Sequence, residues 1–475
     1  MATVKKDNSS ILKDNLVILT SKFSDGKKYG LSKEESNYIS EQIKLEKKSV
    51  AVNQYTRCVY VVLVVEKDEA YKRNEKLRKA GNGIAGSLNE AKCTSVTVVS
   101  ETKGSVDQLV FAEGMALGNY QFIHYRSKAA KEKNTLSSIK LSGSVNDKDI
   151  NELNTVIESV CIARDLVNEP VNKLNAEQLS DQFKKMGKAA GFSVEVYDKK
   201  KITTLKMGGL LSVNQGSVDA PTFNIMEYKP KNAKNKKPIV LVGKGVTYDT
   251  GGLSLKPTPA SMDMMKCDMA GAAAVGSIMY AVAKAKLNVH VIGLVPATDN
   301  RPGFNAFAPG DIITMYDGTT VEMLNSDAEG RMILADALTF AKQYKPQLVV
   351  DMATLTGAAA SAIGPLGIVS MGSADTKVHD KLKESGNATY ERLAEFPFWE
   401  EYDEQIKSDI ADVKNLGGPQ GGAITAGRFL LRFTDYPYLH LDIAGPAFLT
   451  ARNAYQPKGG TGIGVRLLFD FLKKM

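Results

Sequence analysis

Apolar residues fall in short unbroken blocks, separated by polar stretches with helical spacing. CVYVVLVV at Cys58–Val65 and SVTVV at Ser95–Val99 are the first two clear blocks. Blocks of this length without alternation read as strands covered on both faces. With the helical stretches around them, they predict a smaller α/β domain over residues 1–150. A polar segment from Ser142 then leads into LNTVIESVCIARDLVNEP, a helical pattern stopped by Pro170. This helix is the expected connection to a larger domain over residues 151–475. There, SVEVYD from Ser193, PIVLVG from Pro238, NVHVIGLV from Asn288 and QLVVDMA from Gln347 alternate with helical patterns. Two of those helices fall near residues 269–286, rich in small residues, and near 328–344. The alternation predicts an α/β/α sandwich around a mixed, mainly parallel sheet. Asp317-Gly318, between two short apolar runs, predicts a hairpin.

Composition narrows the class. A chain of 475 residues with 43% hydrophobic and 24% charged residues can bury a large core, which excludes wholesale disorder and a small disulfide scaffold. Lys+Arg minus Asp+Glu is 61 − 53 = +8, and the lysine pairs are interspersed with acids. This reads as solvated surface, and no nucleic-acid partner is expected. Cys58, Cys93, Cys161 and Cys267 are scattered without a CxxC pair, which fits a reducing compartment. MATVKKDNSS lacks the apolar stretch of a secretory signal. Residues 352–374 carry no charge but are broken by glycines and Pro365, so they read as a buried turn region and not a membrane span. A cytoplasmic location without membrane attachment is expected.

Two glycine-rich motifs attract attention first. GNGIAG at Gly81–Gly86 follows a polar helical stretch, whereas a dinucleotide loop follows a strand and opens a helix. GGTGIG at Gly459–Gly464 precedes a helical pattern and reads as a cap or packing element. Neither GxxxxGK[ST] nor GxSxG occurs. His124, His290, His379 and His440 are dispersed along the chain, which argues against a histidine-ligated zinc site.

Charge gathers in three segments at the ends of expected strands, where open α/β sheets place their sites. The first, VGKGVTYDTGGLSLKP, carries Lys244, Asp249 and Lys256; its plainer reading is a solvated loop. The second, MDMMKCDMAGAAAVG, puts Asp268 where a helix N-cap is expected. The third, LNSDAEGRMILADAL, offers Ser326 and Glu329 as a capping box. A capping box does not explain Arg331, since the dipole of a helix's first turn disfavours a cation unless an anion lies nearby. If the segments converge, Asp249, Asp268, Asp327 and Glu329 share one pocket. Each pair about 4 Å apart then repels by roughly 4 kcal/mol at an effective dielectric near 20. Two divalent cations would neutralise the four charges, which is the arrangement of a two-metal hydrolase.

At these residues the sequence resembles the leucine aminopeptidase, or cytosol aminopeptidase, family. NSDAEGR differs from that family's signature by one conservative change. The match continues through VGKGVTYDTGG, MDMMKCDMAGAA, DMATLTGA, HLDIAGPA and GGTGIGVR. It covers essentially all of residues 150–475; the N-terminal part matches in length and α/β character, which in the family is a macro-like domain. The resemblance implies metal ligands at Lys244, Asp249, Asp268, Asp327 and Glu329, with Asp249 and Glu329 bridging two ions. Asp327 would use its carboxylate and main-chain carbonyl. It also implies an oxyanion-stabilising role for Lys256 and a proton-relaying bicarbonate at Arg331. The pocket for the first side chain falls on Met265, Thr354, Leu355, Gly357, Ala444 and Ala447, small and apolar enough for leucine or methionine.

The implied activity is hydrolysis of the N-terminal residue from peptides with a free N-terminus, with a metal-bridging water as nucleophile. The implied assembly is a homohexamer. The ligand set suits zinc or manganese, and is also compatible with cobalt or magnesium. Two other readings are a nucleic-acid-binding role, for which the net charge is the sole support, and a scaffold that has lost catalysis. The second is disfavoured by the presence of all seven charged positions.

Overall fold

The computed structural model describes every residue except 1, 9, 10, 66 and 103. The chain forms two compact units, Met1–Glu158 with Ala451–Lys458, and Ser159–Thr450 with Gly459–Met475. The helix Asp147–Asn168 carries the chain from one to the other, and a short segment returns to the first unit near the C-terminus. That return has no signal in the hydrophobic pattern.

The first unit is built on a six-stranded sheet in the order Thr3–Lys6, Ser138–Leu141, Ser95–Ser100, Leu16–Thr20, Cys58–Leu63, Ser49–Asn53. Its pairs are parallel except for the edge strand Ser49–Asn53. The expected strands at Cys58 and Ser95 lie within it. GNGIAG falls inside the helix Ala70–Glu90, as its polar flank predicts. A Cβ on Gly81 would meet the Phe111 carbonyl oxygen at 2.3 Å, so the glycine serves close packing against the helix Val106–Gly118.

The second unit holds a nine-stranded mixed sheet. Its centre is parallel, with Tyr438–Asp442, Leu348–Ala353, Ile239–Gly243 and Val291–Asn300 side by side. Antiparallel strands flank it on both sides. Alternation along Ile239–Gly243 shows how the sandwich is made. Val240 and Val242 join the buried cluster of Ile333, Leu334 and Phe340 from the helix Glu329–Ala341. Gly243 points to the opposite face, where a Cβ would meet the Gly271 carbonyl oxygen of the helix Ala270–Lys284 at 2.7 Å. The small residues after Asp268 thus let that helix lie directly on the strands. The central strands are buried along their whole length, which is why they do not alternate in sequence, whereas the edge strand Ser193–Tyr197 does.

Val291–Asn300 starts later and ends later than its apolar block indicates, running through Pro296. Pro296 sits where this strand changes parallel partners, from Ile239–Gly243 to Gly245–Asp249. A missing N–H costs little at such a break. The Asp317-Gly318 hairpin forms between Asp311–Thr314 and Thr320–Met323. Residues 352–374 fold as a strand end, the short helix Gly357–Ile363 and the strand Ile368–Gly372. Among the described residues no helix is long and apolar enough to cross a membrane.

Candidate metal centre and its cavity

The parallel strands end at one edge of the sheet, and their last residues supply the site. Lys244 follows Ile239–Gly243, Asp249 ends Gly245–Asp249, Asn300 ends Val291–Asn300, and Thr354 follows Leu348–Ala353. The turn after Asp249 needs its glycines. Gly251 and Gly252 have φ of 85° and 62°, where a side chain is strained.

Neither capping expectation survives. The helix Ala270–Lys284 has Met269 at its N-cap, and Asp268 lies in the preceding 3₁₀ turn Met262–Met269. The helix Glu329–Ala341 has Ala328 at its N-cap, without a side-chain cap. The Ser326 hydroxyl instead donates to the Gly251 carbonyl at 2.7 Å and accepts from Ser254 N at 2.7 Å. The distant loop offers a donor and an acceptor together, and so outcompetes the local cap. That bond ties the first charged segment to the third.

The segments converge. Lys244, 3% exposed, donates from Nζ to Asp268 Oδ1 at 2.8 Å and to the Thr354 carbonyl at 3.0 Å, and lies 2.8 Å from Glu329 Oε1. Its path past the helix explains the glycine in AEGR, since a Cβ on Gly330 would lie 2.4 Å from Lys244 Cε. Lys256 Nζ lies 2.9 Å from Asp249 Oδ2 and 2.5 Å from Asp327 Oδ1. Asp249, Asp268 and Glu329 each offer a carboxylate oxygen within 4.8 Å of the others. Asp327 stands outside that group, joined to it through Lys256. Thr354 Oγ1 donates to Asp268 Oδ1 at 2.8 Å.

Burial sets the electrostatics. It pushes the Asp268 and Glu329 carboxyls above the usual range, and the neighbouring carboxylates add to this. Asp327 rises to about 7 for the same reasons, with Asp249 and Glu329 the main neighbours. Burial would lower Lys244 and Lys256, but the surrounding acids outweigh it and hold both above the ordinary lysine value. Burial lowers Arg331 to about 10, against the pull of Glu329 and Asp442. Arg331 donates from Nη1 to the Asn415 carbonyl at 2.7 Å, while its Nε has no partner among the described residues.

The donor set fits divalent cations. Four carboxylates face two ammonium groups, and Asp268 Oδ2 and Glu329 Oε2 are buried without a hydrogen-bond donor among the described residues. Buried carboxylate oxygens are ordinarily partnered, and oxygen ligands of this kind suit hard or borderline metal ions. A lysine can join such a set only as the neutral amine, so an ion must displace its proton.

A cavity of about 550 Å³ opens beside the cluster, lined by Lys244, Asp249, Asp268, Asp327 and Arg331 on its charged side. Of the expected pocket residues, Met265, Thr354, Leu355, Gly357 and Ala444 line it. Ala447 does not: it is 2% exposed, and its carbonyl accepts from Thr461 N at 3.0 Å.

Two functional-looking residues escaped the sequence reading. Asn300, fully buried, donates from Nδ2 to Asp249 Oδ1 at 2.8 Å and to the Ser326 carbonyl at 2.9 Å. Asp442 accepts from Thr356 Oγ1 at 2.7 Å. Their positions at strand ends were the available signal.

The model of the cytosol aminopeptidase family's catalytic domain matches residues 161–469. A probable cytosol aminopeptidase of Chlorobium limicola is 45% identical over 428 residues, covering 85% of this chain and 84% of the relative. One from Geobacter sulfurreducens is 43% identical over 422 residues, covering 87% and 84%. Among solved structures, a mutant tomato leucine aminopeptidase superposes with a TM-score of 0.86 at 28% identity, covering 100% of this chain and 97% of that one. The bottromycin maturation enzyme BotP in complex with Mn gives 0.85 at 29% identity, covering 97% and 99%. With Glu329 of the NSDAEGR segment in a buried acidic cluster and the family model matching residues 161–469, the chain belongs to the cytosol aminopeptidase family.

Proposed function

We propose that the protein removes a leucine- or methionine-like residue from the N-terminus of peptides by a co-catalytic two-metal mechanism. The observation that carries this is the pair of donorless buried carboxylate oxygens, on Asp268 and Glu329, beside a cavity whose other wall is small and apolar. Lys244, Asp249, Asp268, Asp327 and Glu329 would hold two divalent ions, zinc or manganese first. When bound, the ions supply Lewis-acid polarisation of the scissile carbonyl and of the attacking water.

The chain's own groups do the rest. Lys256 keeps its proton through its acidic neighbours and is partly open to the cavity, so it can meet negative charge developing on the carbonyl oxygen. Arg331 lines the cavity and keeps an Nε without a partner among the described residues, so it is placed to hold an anion such as bicarbonate that carries the proton from water to the leaving amine. Met265, Thr354, Leu355, Gly357 and Ala444 receive the first side chain. Homohexameric assembly and a cytoplasmic location belong to the same reading, and light scattering tests the first. Hydrolysis of leucyl-p-nitroanilide with added manganese or zinc tests the activity. Well-folded protein that is inactive with every divalent ion would refute it.

A further inference from the structure

DMATLTGA and HLDIAGPA contribute apolar residues to the cavity, yet their polar members Asp351, His440 and Asp442 take no part in the acidic cluster. All three are buried, none more than 1% exposed. Tyr438, His440 and Asp442 share one face of the strand Tyr438–Asp442, and the parallel register sets Asp351 opposite His440. The Tyr438 hydroxyl donates to Asp351 Oδ2, and His440 Nδ1 lies 2.8 Å from Asp351 Oδ1.

Asp442 ends this row at the cavity. Its Oδ2 accepts from Thr356 Oγ1 at 2.7 Å, and its Oδ1 accepts from Leu355 N at 3.2 Å and Ala444 N at 3.1 Å. Leu355, Thr356 and Ala444 all line the cavity, so one carboxylate joins two segments of its wall. Thr356 also caps the helix Gly357–Ile363, its Oγ1 accepting from Ala359 N at 3.0 Å. Burial would lower His440, but Asp351 and then Asp442 outweigh it and hold the imidazole above its ordinary value.

We propose that Asp442 is a positioning residue that fixes the width of the pocket for the substrate's first side chain. It clamps the Leu355–Thr356 turn to Ala444, and the buried Tyr438–Asp351–His440 row anchors it from behind. The inference rests on the reading that this cavity takes that side chain.

The test compares kcat and KM of the manganese-loaded enzyme on alanyl-, leucyl-, methionyl- and phenylalanyl-p-nitroanilide, with metal content measured alongside. In Thr356→Val the clamp loses its hydroxyl donor. The leucyl-to-alanyl ratio of kcat/KM then falls about tenfold, through KM, with metal content unchanged. Thr356→Ser restores the ratio, because the hydroxyl and not the methyl group makes the bond. Asp442→Asn shifts the ratio in the same direction; if that variant does not fold, the Thr356 pair decides alone. A wild-type ratio retained in Thr356→Val, or no recovery in Thr356→Ser, overturns the clamp. A wild-type enzyme indifferent to side-chain size would instead overturn the pocket reading beneath it.

Discussion

In the first unit Glu75 and Glu113 lie buried beside Arg78, whose Nε is 2.6 Å from Glu113 Oε2, and Lys79 Nζ is 3.6 Å from Glu75 Oε1. The Tyr455 hydroxyl donates to Glu75 at 2.8 Å. Two acids there meet two cations. In the second unit four acids meet Lys244 and Lys256, and two carboxylate oxygens are left without a donor. Both clusters are buried and both sit in an α/β unit. Burial of charge therefore does not mark a site; an excess of one sign that the chain itself does not neutralise does.

The contrast breaks most visibly at Glu329. Glu329→Ala removes a carboxylate central to the cluster, and bound metal should be lost with turnover down by about 10³-fold or more. Metal analysis of the dialysed variant beside its activity checks both. Lys256→Ala separates charge balance from chemistry: the metals stay and kcat falls by about 10²–10³-fold. Normal turnover in that variant would remove the oxyanion role. Asn300→Ala leaves every proposed ligand in place but frees Asp249 and the Ser326 carbonyl from their shared donor. Metal affinity should fall about 10–100-fold, read from competition with a chelating dye.

Acidity sharpens the same point. Asp327 stands at about 7 before any ion binds, raised first by burial and then by Asp249 and Glu329. The ions need the carboxylate, so protons compete with them below that value. Manganese affinity should increase with pH, most steeply below about 7, in titrations from pH 5.5 to 8.5. The smallest effect on activity belongs to the balanced cluster. Glu113→Gln removes one of the two carboxylates beside Arg78, whose Nη1 stays 3.7 Å from Glu75 Oε2, and should cost about 1–3 kcal/mol of stability in denaturant unfolding, with metal content and kcat unchanged.

Much of this was legible in the amino-acid order. Unbroken apolar blocks located the central strands because burial on both faces leaves no polar positions to interrupt them. The acids and lysines of the cluster were legible because the motifs that carry them are contiguous. What escaped was tertiary. Ser326 looks like a cap until Gly251 and Ser254 arrive from more than seventy residues away to take its hydroxyl. Asn300 and Asp442 act across strands, so their spacing to partners is set by sheet register and not by chain distance. The end of the strand Val291–Asn300 was hidden by Pro296, whose tolerance depends on where neighbouring strands exchange places. Ala447, the last residue of HLDIAGPA, is buried and does not line the cavity.

The proposed function requires that ions neutralise the excess negative charge in the second unit. Its most direct test is the number of divalent metal ions bound per chain after saturation with manganese and exhaustive removal of free metal, measured by inductively coupled plasma mass spectrometry on folded wild-type protein. Two ions per chain are expected, falling in Glu329→Ala and not in Glu113→Gln. Wild-type protein that is folded and active yet retains no metal would contradict it.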